Sequence, residues 1–193
     1  MDWRLYHGIY SLSLHHHWLG TFFSDVEMAS IPFMVIATAA LWLLDRPGGP
    51  RKWKLAAGNA LTSAAVAVLI NLVLHSLWNR PRPYESHTIS HPWSTSTDAS
   101  FPSDHASASL AIAFALLVFD LPVGILFLAV AVLIAVGRVF VGAHYPSDIA
   151  ASVAVAAVSA AVVVRFGRTF VAFLVRMVER VTDPVLRPLW RRD

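Results

Sequence analysis

His144 and Asp148 stand four residues apart, and Arg138 precedes that histidine by six. Upstream lie two further polar clusters, Pro102-Ser103-Asp104-His105 and Arg80-Pro81-Arg82-Pro83. These residue types suit phosphoryl transfer. A guanidinium stays charged and forks onto two phosphate oxygens, which an ammonium cannot do. Ser103 falls where a helix begins after Pro102, so its hydroxyl and the free backbone N–H groups that follow can cradle an anion. With a helix start near Tyr145, His144 and Asp148 share one face. A carboxylate there keeps one imidazole nitrogen as N–H and leaves the other free as nucleophile. His105, from a separate helix, can protonate the departing oxygen, a contribution of roughly 10²- to 10⁴-fold.

Each cluster alone has a plainer explanation. Arg-Pro-Arg-Pro marks a membrane exit with snorkelling arginines, and Pro-Ser-Asp marks a helix start. A lone histidine at a boundary is a solvated side chain, and Gly142-Ala143 permits a tight turn. What these explanations lack is the arrival of all three segments at one surface with matched chemical roles. That arrival depends on the elements between them.

The chain has 193 residues, of which 56% are hydrophobic and only 14% charged, with a mean hydropathy of +0.59. Soluble domains carry about 25% charged residues, so a soluble globular reading is disfavoured, and disorder is excluded by the apolar content. The absence of cysteine removes disulfides, thiolate metal sites and a cysteine nucleophile. The length suggests one domain over 1–193. Because lipid offers no partner to an open backbone, a span needs roughly 20 apolar residues in a helix. Four long stretches qualify: 29–44, 55–78, 121–141 and 149–164. A fifth, 106–119, is short and ends at Asp120-Leu121-Pro122, a tight turn into the next helix; protein burying its ends would let it span. The expected fold is all-α, a polytopic membrane bundle of about five transmembrane helices. Residues 1–20 carry Asp2, Arg4 and His15-His16-His17 where a signal peptide would be apolar. They are predicted as an interfacial helix with Trp3, Tyr6, Tyr10 and Trp18 at headgroup depth. The segment 86–100 is the one sizeable polar loop.

Charge sets the orientation. Arg46, Arg51, Lys52 and Lys54 follow the first span, and Arg165, Arg168, Arg176, Arg180, Arg187, Arg191 and Arg192 lie in the tail. With five alternating spans, these eleven of the fifteen cations share one side, the cytoplasmic one. Of the remaining four, Arg4, Arg80, Arg82 and Arg138, three break that rule on the outer side. There Arg80-Pro81-Arg82-Pro83 closes span two, Phe101 to His105 opens span three, Arg138 closes span four, and Gly142 to Asp148 opens span five.

These residues resemble the type 2 phosphatidic acid phosphatases (PAP2), whose pattern is Lys-x6-Arg-Pro, Pro-Ser-Gly-His and Ser-Arg-x5-His-x3-Asp. Here the third motif is Gly137-Arg138, five residues, His144, three residues, Asp148; the second is Pro102-Ser103-Asp104-His105; the first is Arg82-Pro83 with His75 where the pattern has Lys. The resemblance covers about residues 71–152. It implies His144 as a nucleophile forming a phosphohistidine, Asp148 as its orienter and His105 as general acid. Arg82, Arg138 and Ser103 would hold the phosphate, with no metal and no cofactor. Asp104 in place of Gly must point away, cap the helix or be partly neutralised, and Arg80 is a replacement for the missing lysine. The departures are similar to the bacitracin-resistance type of undecaprenyl-diphosphatase. This implies a polyprenyl diphosphate substrate cleaved to the monophosphate on the outer face of a bacterial plasma membrane, in the recycling of the cell-wall lipid carrier.

Other features weigh less. Glu27 near the outer end of span one either faces the site or sits at the interface. Three adjacent histidines, His15 to His17, do not share a helical face, which disfavours a metal site. His87 and His91 solvate the polar loop, which could equally cover the substrate. The basic tail, 165–193, with Phe170, Val171, Phe173, Leu174, Met177 and Val178, reads as an amphipathic helix on anionic lipid, a better account of its arginines than nucleic acid. Competing functions are a phosphatidic acid or phosphatidylglycerophosphate phosphatase and, from another class, a non-catalytic lipid-phosphate binder or a His-lined metal transporter.

Overall fold

The computed structural model describes residues 2–89 and 93–190. His91, Arg191 and Arg192 lie outside the described residues. Among the described residues, all regular structure is helical: α1 (Asp2–His15), α2 (His17–Ala40, prolonged by a 3₁₀ turn Leu41–Leu44), α3 (Lys52–Leu77), α4 (Pro83–Ser86), α5 (Asp104–Phe119), α6 (Leu121–Phe140), α7 (Pro146–Phe166) and α8 (Arg168–Leu186), with a 3₁₀ turn Arg187–Trp190. The protein is a polytopic helical bundle. Among the described residues four helices are long and apolar enough to cross a membrane, namely those of His17–Leu44, Lys52–Leu77, Leu121–Phe140 and Pro146–Phe166.

The 16-residue α5 is the centre of the bundle. It packs against α3, α6 and α7 and touches α2, and ten of its residues from Ala106 to Leu116 are buried. Its alanines and serines let the surrounding helices close on it; Ser107, Ser109 and Ala111 have no exposed surface. Protein rather than lipid therefore surrounds the shortest apolar helix. The turn into α6 is made by Asp120, whose carboxylate accepts the Val123 N–H at 3.2 Å as an N-cap, with Pro122 in the first helical turn. At Gly124 the two helices touch: a Cβ there would lie 2.5 Å from Leu117 backbone atoms.

Two boundaries differ from the sequence expectation. The first span starts at His17 rather than near Ala29, because the polar-looking 17–28 segment continues the helix along α6. The stretch 1–20 is accordingly broken at His16 into α1 and the first turn of α2. The α1 tyrosines are turned into the protein. Tyr6 and Tyr10 are 0% and 2% exposed and pack with Val139 and Tyr145, while Trp18 on α2 is exposed. Burial in protein wins for the tyrosines because they cover the turn between α6 and α7, where the Tyr6 hydroxyl donates to Gly142 O at 3.4 Å.

At the opposite end α8 folds back onto α3. Val171 and Val175 are buried there, and Lys54, 1% exposed, donates to Asp183 at 2.7 Å and Glu179 at 3.3 Å. Arg51 adds a 2.9 Å bond to Glu179. Phe170, Phe173, Leu174, Met177 and Val178 stay exposed along α8.

Candidate active site

The site lies at the end of the bundle where α3 and α6 finish and α5 and α7 begin. The six-residue interval between Arg138 and His144 has a local cause. The Arg138 carbonyl accepts the N–H groups of both Ala143 (3.1 Å) and His144 (3.2 Å), closing the turn. Gly142 provides the required left-handed conformation at φ +83°. Pro146 then starts α7, and Asp148 Oδ2 accepts the Tyr145 N–H at 2.9 Å, capping the helix while presenting the carboxylate toward His144.

His144 is 2% exposed. Its Nδ1 lies 2.7 Å from the Ser100 carbonyl, which only accepts, so Nδ1 carries the proton. The lone pair of Nε2 is then left facing Arg138 Nη2 at 3.2 Å and Arg82 Nη1 at 3.3 Å. Burial pushes this imidazole's pKa down to about 4, with Arg138 and Arg82 acting in the same direction and Asp148 opposing. The ring is an unprotonated nitrogen base held between two guanidiniums.

Asp148, fully buried, stands 3.8 Å from His144 Nδ1. Its Oδ2 accepts the Ser100 hydroxyl at 2.6 Å and its Oδ1 accepts Arg80 Nη1 at 2.5 Å. The group nearest the imidazole proton is thus the Ser100 carbonyl, with the carboxylate just beyond it. Ser100 went unnoticed in the sequence, where only its place at the end of a polar loop marked it.

A cavity of about 210 Å³ opens over Nε2, lined among others by Glu27, His75, Arg82, Asp98, Asp104, His105, Arg138 and His144. Arg138 pairs with Glu27, which also accepts the Ser94 hydroxyl at 2.6 Å; Glu27 therefore faces the site. Arg138 Nε has no partner among the described residues. Arg82 donates to the Asp98 carboxylate at 2.8 Å and to the Asp98 carbonyl at 3.0 Å. Burial would raise the Asp98 pKa, but the Ser96 hydroxyl and Arg82 outweigh it and hold the carboxyl below its usual range. His105, in the first turn of α5, lines the same cavity. Asp104 does not point into empty space: Asn71 donates to it at 2.7 Å. His75, one turn further along α3, directs Nε2 to Pro102 O at 3.0 Å and also borders the cavity.

Besides Asp148, two candidates lie outside this lining. Ser103 has no exposed surface; its hydroxyl caps α5 through Ala106 N at 3.5 Å and its N–H donates to Ser152 at 3.0 Å. Arg80 turns away to Asp148, to Ser147 (2.7 Å) and to Asp2 (2.7 Å). His15, His16 and His17 are exposed where α1 meets α2, and among the described residues no three His, Cys, Asp or Glu side chains cluster to hold a metal ion.

The pattern of the PAP2 superfamily matches residues 56–172, which include every residue at the cavity except Glu27. The chain belongs to the PAP2 superfamily. It is 30% identical over 190 residues to undecaprenyl-diphosphatase BcrC of Bacillus subtilis, covering 97% of this chain and 96% of that protein. It is 32% identical over 126 residues to decaprenylphosphoryl-5-phosphoribose phosphatase of Mycobacterium tuberculosis, covering 65% of this chain and 67% of the relative. Among solved structures, Aquifex aeolicus LpxE superposes with a TM-score of 0.73 at 17% identity, covering 86% of this chain and 95% of that one. The PAP2-type phosphatidylglycerolphosphate phosphatase of Bacillus subtilis follows at 0.63 and 20%, covering 86% of each chain. These two likenesses show the fold. This member of the superfamily is a multi-pass membrane protein and a lipid phosphatase.

Proposed function

We propose that the protein hydrolyses undecaprenyl diphosphate to undecaprenyl phosphate, without a metal, on the extracytoplasmic face of a bacterial plasma membrane. The observation that carries the chemistry is the His144 ring: Nδ1–H is fixed on Ser100 O, and the Nε2 lone pair lies between Arg82 and Arg138. The substrate class is supported by the relative that aligns over nearly the whole chain, an undecaprenyl-diphosphatase. The sidedness is supported by nine described Lys and Arg at the opposite end of the bundle from His144.

The terminal phosphoryl group enters between Arg82 and Arg138, whose guanidiniums take the charge on its equatorial oxygens. His144 Nε2 attacks the terminal phosphorus and the bond to the bridging oxygen breaks, leaving a phosphohistidine and undecaprenyl phosphate. His105 gives the bridging oxygen its proton. The positive charge that develops on the phosphorylated ring is met at Nδ1–H by Ser100 O and the Asp148 carboxylate. His105, now a base, takes a proton from water, whose oxygen attacks phosphorus; the N–P bond breaks and inorganic phosphate leaves with Nε2 free again.

The test is release of phosphate by the purified protein in detergent from undecaprenyl diphosphate, side by side with phosphatidic acid and phosphatidylglycerophosphate. We expect the prenyl diphosphate to be preferred, EDTA to be harmless, and an acid-labile phosphoenzyme to disappear in His144→Ala. Turnover retained in His144→Ala, or faster cleavage of phosphatidic acid, refutes the reading.

A further inference from the structure

We infer that Arg80 is a positioning residue for His144, held in place by Asp2 of α1, rather than a ligand of the substrate phosphate. The inference rests on His144 as nucleophile and extends that reading to groups outside the cavity. Arg80 reaches both groups that face the imidazole proton. Its backbone carbonyl accepts the Ser100 N–H at 2.9 Å, fixing the residue whose own carbonyl receives His144 Nδ1–H. Its guanidinium donates to Asp148 Oδ1 at 2.5 Å, on the side of the carboxylate away from Ser100.

Asp2 completes the arrangement from another element. One of its oxygens takes Arg80 Nη2 at 2.7 Å and the Ser147 hydroxyl at 2.5 Å; the other takes the Ser147 N–H at 3.1 Å. Arg80 also stacks on one ring, with its guanidinium carbon 4.2 Å from the centroid of Tyr145. Both terminal nitrogens of this side chain are therefore bound to protein acceptors, and Arg80 is not among the residues that line the cavity. A guanidinium pinned between two carboxylates fixes the rotamer of the inner one, so Asp148 cannot swing toward or away from His144. The N-terminal helix thereby becomes part of the catalytic support: it bolts the start of α7 to the end of α3 through one ionic bridge.

The experiment compares Arg80→Ala, Arg80→Lys, Asp2→Asn and the Arg80→Ala/Asp2→Asn double variant of the full chain. The readouts are kcat and KM on undecaprenyl diphosphate, inhibition by inorganic phosphate, and the ¹⁵N ring shifts of His144, assigned by their loss in His144→Ala. Arg80→Ala is expected to lower kcat about 10- to 100-fold, the cost typical of losing a group that orients another catalytic group, while KM and phosphate inhibition change less than about twofold. Asp2→Asn lowers kcat by a smaller factor, and adding it to Arg80→Ala costs less than about a further twofold, because the two act as one unit. Arg80→Lys, which keeps the charge and the backbone, restores part of the rate and serves if the alanine variant does not fold. The His144 ring shows the Nδ1–H tautomer in the wild type and a mixture in Arg80→Ala. A rise of about tenfold in KM or weakened phosphate inhibition with kcat intact makes Arg80 a substrate ligand and overturns the inference; so does full additivity of the two substitutions. A wild type that does not cleave the diphosphate refutes the functional reading separately, and the tautomer readout then still decides the role of Arg80.

Discussion

Acidification is the sharpest test of how His144 is held. A histidine whose pKa is depressed is neutral, and so nucleophilic, at every pH above that pKa, and loses this form only as pH falls through it. With the value near 4 set first by burial and then by Arg138 and Arg82, about nine-tenths of the imidazole is unprotonated at pH 5. At an ordinary value near 6.5 the fraction would be about 3%, so the structure predicts a roughly 30-fold advantage at that pH. Two measurements check it: ¹⁵N titration of the His144 ring in the free protein, and the acid limb of kcat/KM, which reports groups of the free enzyme and free substrate. The substrate's own phosphate ionises near pH 6 and adds a limb common to all variants, so differences between variants isolate the imidazole. Arg82→Gln removes one of the two cations that disfavour the imidazolium; the His144 pKa then rises and the loss begins at higher pH. A wild-type ring titrating between 6 and 7, or one that Arg82→Gln leaves unmoved, refutes the account of the buried, guanidinium-flanked base.

Glu27→Gln leaves the Ser94 contact possible but frees Arg138 from its carboxylate, so inorganic phosphate should inhibit more tightly, by about tenfold, measured as a Ki in the turnover assay. Gly142→Ala places a Cβ 3.0 Å from Tyr10 and 3.2 Å from the Tyr6 hydroxyl at a φ of +83°, and should lower stability by about 1–3 kcal/mol together with activity, read as Tm in detergent. At the other end, Lys54→Met removes the buried cation that Glu179 and Asp183 share, leaving Glu179 only the half-exposed Arg51, and should cost about 3 kcal/mol, whereas Lys52→Met, on an exposed pair with Asp120, should barely move the melt; the two thermal melts compared directly decide this.

Much of the bundle could be read from the chain because lipid simplifies the problem. A span must be apolar and helical, so 55–78, 121–141 and 149–164 map onto α3, α6 and α7 with shifts of a few residues at their ends. The 16-residue α5 was ambiguous since length alone does not say whether lipid or protein surrounds a helix. The early part of α2 was hidden for a related reason: 17–28 carries Ser24, Asp25 and Glu27, and polar residues lower a hydropathy window even when, like Glu27, they turn toward an arginine inside the bundle. At the site, spacing sufficed wherever a single turn of chain sets the geometry. Arg138 to His144 is one closed turn, and Asp148 is the third residue of the helix whose N-cap directly follows His144, so both intervals are local quantities. Ser103 caps α5, as its place after Pro102 predicts, whereas the residue type of Arg80 says what it can bind but not which of several nearby partners it faces.

The polar loop marks the boundary of what spacing can carry. Ser94, Ser96, Asp98 and Ser100 sit in a stretch with no periodicity, yet each makes a contact that sets the cavity: Ser94 with Glu27, Ser96 with Asp98, Asp98 with Arg82, Ser100 with both His144 and Asp148. These contacts join residues 16 to 67 positions apart in the case of Asp98–Arg82 and Ser94–Glu27, so no local rule points to them. They also explain how two arginines can lie close to a single imidazole without mutual expulsion. Glu27 balances Arg138 and Asp98 balances Arg82, leaving a pocket whose guanidiniums are aimed but partly neutralised. In the proposed reaction a phosphoryl group gains from both forks only by competing with those carboxylates, and the same competition would help to drive inorganic phosphate out after cleavage. Pre-pairing of this kind weakens ground-state binding of a product dianion more than it weakens the more highly charged transition state, which is the direction in which a turnover enzyme benefits.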